Sequence, residues 1–191
     1  MGLNDLVVKR IFFLKITFLP CSKKENPMAL STSIIVRLQT QHLDLRKILT
    51  DLSEEALHKK QDQSWSIYEH LIHLAVYQPR FIHRLNDIVQ NQASVFSAYD
   101  TKQDPLFKEY HTLKVMDIWD RIQERREDLI SIAESLTAEQ LSKTGTHALY
   151  GSVSVGDWID FFLLHEAHHM YRMLMLKLEH NPIAQQKQVK A

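Results

Sequence analysis

Two histidines four residues apart stand out in the stretch LLHEAHHMYRM, which spans 163–173. On a helix, His165 and His169 would lie on one face, so both imidazoles could bind a single metal ion. With Glu166 between them they also form the H-E-x-x-H sequence of zinc proteases, in which the glutamate acts as general base. A hydrogen-bonded pair of histidines at the margin of the core is a third interpretation of the same spacing.

The longer protease motif is absent from this chain. It would require glycine at position 172 and histidine at position 175, where the chain has Arg172 and Met175. No glycine-rich edge-strand pattern precedes the predicted helix either. An H-E-x-x-H zinc protease is therefore the remote alternative, since so short a motif is often matched by chance.

A polar stripe that includes His73 runs along a second predicted helix, earlier in the chain. Its other members are Glu69, His70, Tyr77, Arg80 and Arg84. Apolar residues flank the stripe on both sides, which favours a helix lining a cleft, with a salt-bridged surface stripe as the alternative. If the stripe faces a cleft, His73 is the third ligand, and three neutral imidazoles leave an open position on the metal for water or substrate.

Four helices must position these residues, because apolar side chains recur at three- and four-residue spacing in four segments. The segments are 31–52, 66–89, 110–135 and 155–179. Capping boxes at Ser66–Glu69 and Ser154–Asp157 mark the starts of the second and fourth helices. His165 and His169 fall on the core-facing side of the fourth helix, and His168 falls on its flank.

The segments between the helices predict how the helices are joined. A polar connector is expected at about 91–108, a short helical turn at 137–140, and a loop from Gly145 to Gly151. Four long helices with at least two long connections indicate an all-α four-helix bundle.

The composition excludes several classes of function. Lys+Arg and Asp+Glu both number 23 in 191 residues, so the chain lacks the basic surface that nucleic acid binding needs. Cys21 is the single cysteine, which excludes an internal disulfide and a zinc site built from cysteines. The 4 glycines and 5 prolines suit long helices, whereas 11 histidines justify a test for metal binding or proton transfer.

The first 27 residues differ from the rest of the chain. Their apolar run is interrupted by Lys15 and is too short and too polar to span a membrane. We expect 1–27 to be a disordered or loosely attached extension, with a lipoprotein or secretory leader as the alternative. The bundle domain is expected at 28–182 and a polar tail at 183–191. We expect the protein to be cytoplasmic.

Two motifs on the second and fourth helices resemble those of the DinB-like superfamily, which includes YfiT-type metal-dependent enzymes. The first is Trp65-Ser66-x-x-Glu69-x-Leu71-x-His73-Leu74, and the second is His165-x-x-His168-His169. The resemblance covers about residues 29–180. It implies a bundle in up-down-down-up arrangement and a divalent metal, commonly zinc or nickel, held by three histidines that match His73, His165 and His169.

The resemblance also implies a reaction on small molecules. Some relatives use a low-molecular-weight thiol as cosubstrate, as S-transferases or as a maleylpyruvate isomerase, and others are regarded as hydrolases. We therefore expect a metal-dependent thiol transferase or hydrolase, with a non-catalytic metal-binding or stress-related interaction protein as the alternative. A small-molecule substrate is the expected partner, and a homodimer is the assembly left open.

Five side chains are candidates for binding substrate or for supporting the metal ligands: Glu69, Tyr77, Arg80, Glu166 and Arg172. Arg172 departs from the family pattern, which often has glutamine three residues after the last ligand. Arginines lining a cleft would favour an anionic substrate, although ion pairing with Glu69 is the simpler use. His42 lies on the apolar face of the first helix, where a hydrogen-bonded core histidine is favoured over a fourth ligand. Trp65 is expected to serve packing.

Overall fold

The structure of the protein is a computed structural model, which describes residues 30–61, 64–92 and 95–180. The extension expected at 1–27 and the tail expected at 183–191 lie outside the described residues. In chain order the described elements are α1 (Thr32–Thr40), α2 (Leu43–Leu49), α3 (Glu54–His58), α4 (Ile67–Val89), β1 (Val95–Phe96), α5 (Pro105–Tyr110), α6 (Val115–Ser135), α7 (Ala138–Ser142), β2 (Thr144–His147), β3 (Gly151–Ser154) and α8 (Val155–His180). A 3₁₀ turn at Thr101–Gln103 precedes α5. No helix within these ranges has both the length and the apolar character needed to cross a membrane.

Side-chain contacts define the direction of each long helix in the bundle, which consists of α1 with α2, α4, α6 and α8. α8 runs parallel to α1 and α2, because their contacts advance together along both segments. These contacts join Arg37 to Asp160, Gln41 to Glu166 and Thr50 to Lys177. α4 runs against α8 and α6 runs against α1, as shown by the contacts of His73 with His165, Phe81 with Phe162, Gln39 with Glu134 and His42 with Gln123. The predicted up-down-down-up four-helix bundle is therefore confirmed.

α4 is the most enclosed helix of the bundle. Every residue from Ile67 to Gln78 is buried. The predicted capping box fixes its start, because Ser66 Oγ accepts from Glu69 N at 3.2 Å and Glu69 Oε2 accepts from Ser66 N at 3.0 Å. Because this half of α4 is covered on all sides, its polar residues lie inside the protein, and the alternative of a salt-bridged surface stripe is wrong there.

The bounds of two predicted helices differ in the structure. The helix predicted at 31–52 is divided around Gln41 and His42, where the dihedrals stay helical but the hydrogen bonds take the three-residue spacing of a 3₁₀ turn. The side chains of both residues bond to other helices, at Glu166 and Gln123, and the local sequence carries no signal of these contacts. The third long helix begins later than predicted, because α5 forms as a separate short helix before it.

The loop predicted from Gly145 to Gly151 is a β-hairpin instead. β2 pairs antiparallel with β3, and β1, within the predicted polar connector, pairs parallel with β2. Glycine at position 145 allows a close approach, because a Cβ there would lie 2.7 Å from Ile88 Cδ1 and 2.9 Å from Phe96 Cε2 and would force these side chains to shift. The small sheet therefore packs directly on the last turns of α4. The short helical turn predicted at 137–140 is confirmed as α7.

Candidate metal centre

Three histidines converge between α4 and α8. Nε2 of His165 lies 3.0 Å from Nε2 of His73 and 3.1 Å from Nε2 of His169. One ligand nitrogen from each ring lies within 4.8 Å of the other two. Metal–nitrogen bonds of about 2.0–2.1 Å separate ligand atoms by roughly 3.3 Å in a tetrahedral site and by roughly 2.9 Å in an octahedral one. The observed spacing therefore fits one divalent ion shared by the three rings.

The three rings are neutral near pH 7. Burial, and after it the neighbouring imidazoles, lowers the pKa of His73 to about 3 and that of His165 to about 4. Burial, and after it the neighbouring imidazole of His73, also lowers the pKa of His169. A neutral imidazole keeps a free lone pair, and this is the form that binds a metal ion.

The second nitrogen of each ring has a different environment. His73 Nδ1 lies 2.8 Å from Thr101 Oγ1. His169 Nδ1 lies 2.8 Å from Nδ1 of His70, another buried residue of α4. His165 Nδ1 is buried and has no hydrogen-bond partner among the described residues. Two of the three candidate ligands are thus held from behind while their Nε2 atoms face one another.

Aromatic side chains enclose the triad, by which we mean His73, His165 and His169. The ring centroid of Trp65 lies 4.9 Å from that of His73 and 5.8 Å from that of His169, on which it stacks. The ring of Tyr77 lies 4.6 Å from that of His165. These apolar faces keep water from most of the triad and strengthen electrostatic interactions there. His165 is the least buried of the three, so the triad is most accessible on its side.

The two charged candidates on α4 have partners away from the triad. Glu69 closes the capping box and accepts a hydrogen bond from Lys60 Nζ at 2.7 Å. Arg80 pairs with Asp104 at 3.1 Å, and its guanidinium lies 4.8 Å from the centroid of the Tyr99 ring. Arg80 also lines a surface cleft of ≈ 470 Å³ whose lining includes none of the triad histidines. The structure therefore brings neither charge to the triad.

Of the two other candidates, Tyr77 contacts the triad and Arg172 acts on a histidine beside it. Tyr77 forms part of the aromatic wall beside His165. Arg172 is exposed on α8, and its charge acts on the histidine behind His169. Burial, and after it the charge of Arg172, lowers the pKa of His70 to about 4. Of the two candidate arginines, Arg80 and Arg172, it is therefore Arg172 whose charge acts on a histidine beside the triad.

Glu166, the glutamate of the H-E-x-x-H sequence, is paired inside the bundle. It is 1% exposed, and its Oε1 accepts from Nη2 of Arg126, which is fully buried. Its Oε2 accepts from Gln41 Nε2 at 2.8 Å. With both oxygens bonded to side chains, of Gln41 between α1 and α2 and of Arg126 on α6, Glu166 is not available as the base that a zinc protease requires.

His42 packs as a core histidine, as the sequence predicted. Its Nε2 lies 2.8 Å from Gln123 Oε1, and its ring stacks on Trp119 with centroids 6.1 Å apart. The group of residues able to share a metal ion does not include it. The roles of His70 and Thr101 beside the ligands were not predicted from the sequence. His70 was visible on the polar stripe, whereas Thr101 lies in the connector and carries no sequence signal.

Comparison with known proteins shows the family of this chain. A family model described as the DinB superfamily matches residues 37–173. A protein of Oceanobacillus iheyensis, provisionally named a metal-dependent hydrolase, is 24% identical over 135 residues, which are 70% of this chain and 78% of that protein.

Two solved structures from Bacillus subtilis share the fold. YfiT, described provisionally as a metal-dependent hydrolase and as a four-helix bundle of unusual topology, superposes with a TM-score of 0.64 at 16% identity, over 75% of this chain and 83% of YfiT. The DinB-like protein YjoA superposes with a TM-score of 0.53 at 18% identity, over 77% of this chain and 91% of YjoA. Because the family model spans most of the chain and both structures share its architecture, the protein belongs to the DinB superfamily.

Proposed function

We propose that the protein is a metal-dependent hydrolase of small molecules, with one divalent ion, zinc or nickel, held by His73, His165 and His169. The observation that supports this most directly is the convergence of the three neutral rings. Nε2 of His73 and Nε2 of His169 lie 3.0 Å and 3.1 Å from Nε2 of His165. The provisional names of the Oceanobacillus protein and of YfiT agree with hydrolysis.

The donor set suits a catalytic ion better than a structural one. Three neutral imidazoles leave the positive charge of the ion uncompensated, and such an ion lowers the pKa of a bound water or thiol. The chain's own contribution is to hold the ion, to exclude bulk water with Trp65 and Tyr77, and to leave the His165 side accessible. The guanidinium of Arg80 is paired with Asp104. Because its charge is already compensated, Arg80 does not favour an anionic thiol cosubstrate over a hydrolysis reaction.

The metal content of protein purified without an affinity tag tests the site. We expect one divalent ion per chain, and a loss of at least tenfold in affinity when any one of the three histidines is replaced by alanine. His168→Ala is the matched control, because this exposed histidine lies beside His169 on the same helix. Loss of metal in His168→Ala alone would contradict the assignment of ligands.

Two substrate panels test the reaction. Metal-dependent hydrolysis of esters or amides would support the proposal, and metal-free protein is its control. Calorimetric binding of a small anionic thiol that requires both the metal and Arg172 would move the assignment to an S-transferase. If a metal-loaded protein is silent in both panels, the enzyme assignment is wrong and a non-catalytic metal-binding protein is the remaining function.

A further inference from the structure

His70 contacts the triad from behind rather than from within it. Its Nδ1 lies 2.8 Å from Nδ1 of His169, whereas the ligand atom of His169 is Nε2, on the opposite side of the same ring. His70 therefore cannot share an ion with the triad through this contact. The ring is 6% exposed, in the enclosed half of α4, and its centroid lies 5.4 Å from that of Trp65.

The distance between the two Nδ1 atoms requires one donor and one acceptor. A neutral imidazole carries its proton on one nitrogen, so each of the two rings offers either a donor or a lone pair at Nδ1. When His169 carries its proton on Nδ1, that N–H donates to His70 and Nε2 keeps a free lone pair. When the direction is reversed, Nε2 of His169 carries the proton and cannot bind a metal ion.

We propose that His70 is a positioning residue of the metal centre, which accepts a hydrogen bond from His169 Nδ1 and so fixes the tautomer and the ring orientation in which His169 Nε2 faces the ion. This inference rests on the proposed metal site. Metal-bound histidines commonly donate their other N–H to an acceptor, and loss of that acceptor typically lowers metal affinity by about 10–100-fold. The acceptor at His169 is an imidazole on the neighbouring helix, so it also ties α4 to α8 beside the triad.

The position of the acceptor atom gives the inference a sharp test. In His70→Asn the side-chain oxygen can take the place of Nδ1, whereas in His70→Gln the polar atoms lie one bond further out, near the place of Nε2. His70→Leu keeps much of the volume and removes the acceptor. We expect zinc affinity, measured by competition with a chelator, to stay within about threefold in His70→Asn and to fall by about 10–100-fold in the other two variants.

Two further measurements separate positioning from packing. The visible spectrum of the Co²⁺-loaded protein reports the ligand geometry, and we expect it to change in His70→Leu and to be retained in His70→Asn. Urea unfolding of the metal-free variants reports any cost to the fold itself. His168→Leu is the matched control, because it removes a neighbouring imidazole whose ring lies 5.2 Å from that of His169 without removing the acceptor.

The outcomes distinguish this inference from the proposal on which it rests. Wild-type protein that binds neither zinc nor nickel would overturn both. Tight binding by the wild type, with the same affinity and the same Co²⁺ spectrum in His70→Leu, would overturn the inference alone. Equal weakening in His70→Asn and His70→Leu would also overturn it, because the acceptor would then not be the property that matters.

Discussion

Replacing Glu166 by glutamine distinguishes a structural glutamate from a catalytic one. Arg126 is fully buried and Glu166 is 1% exposed, so the pair is removed from water. The change neutralises Glu166 but leaves the Arg126 charge in place, with Leu38 O at 3.2 Å as its other acceptor. Breaking such a buried pair from one side costs about 3–5 kcal/mol in unfolding free energy. For a protein of this size, about 2–4 °C per kcal/mol converts this to a fall of roughly 6–20 °C in Tm.

Denaturant unfolding of the metal-free protein measures this cost directly. We expect Glu166→Gln to be destabilised by the stated amount, and the double variant Arg126→Met with Glu166→Leu to lose less than the sum of the single changes. Glu127→Gln is the matched control, because this exposed glutamate on α6 is next to Arg126 in the chain and should change stability by less than about 0.5 kcal/mol.

The result that would refute this reasoning is specific. If Glu166→Gln kept wild-type stability and metal content but lost turnover in the hydrolysis panel, Glu166 would be a general base. The ion pair with Arg126 would then be dispensable for the fold, and the protease-like interpretation of H-E-x-x-H would return. Retained turnover per folded, metal-loaded molecule agrees with the buried pair described above.

Four further substitutions have expected outcomes that follow from the structure. Burial lowers the pKa of His42 from 6.5 to about 4, so the unfolded chain binds this proton before the folded protein does as the pH falls. Between pH 7.5 and pH 5 we therefore expect the wild type to lose about 2 kcal/mol more unfolding free energy than His42→Gln. Equal losses of the two proteins in urea unfolding would contradict this. Gly145→Ala should cost about 1–3 kcal/mol, because its Cβ would clash with Ile88. Gly156→Ala, in the first turn of α8 with its nearest atoms at 3.9 Å, should instead gain up to about 1 kcal/mol in the same assay. Thr101→Val should lower zinc affinity about tenfold in chelator competition, since it removes the hydroxyl beside His73 Nδ1.

The parts of the fold that local sequence determines were predictable. The start of α4 follows from Ser66 and Glu69, because the two side chains bond to each other's backbone and need nothing else. The convergence of the triad follows from helical spacing combined with the family resemblance. On α8 the period alone places His165 and His169 on one face, and the antiparallel direction of α4 brings His73 to them.

The parts that depend on distant residues were not predictable. β2 and β3 are four residues each, with glycine and polar residues, so they have no apolar alternation to mark them as strands. The division of the first helix at Gln41 depends on Leu163 O and Glu166, which are more than a hundred residues away. His70 was visible on the polar stripe, but its bond to His169 exists only once α4 and α8 are packed.

The H-E-x-x-H sequence shows why a short motif predicts two metal-binding histidines more reliably than it predicts a glutamate that acts as general base. Helical periodicity of about 100° per residue puts His165 and His169 within about 40° of each other in any fold, whereas Glu166 lies about 100° from the first and about 60° from the second. The surroundings of the glutamate therefore depend on which elements pack against that side of the helix. In this bundle the turn between α1 and α2 presents Gln41 to that side, and α6 presents Arg126. A glutamate in this position can act as a base only where the fold leaves its side of the helix facing the substrate. Here that side faces the guanidinium of Arg126, which holds Glu166 in an ion pair.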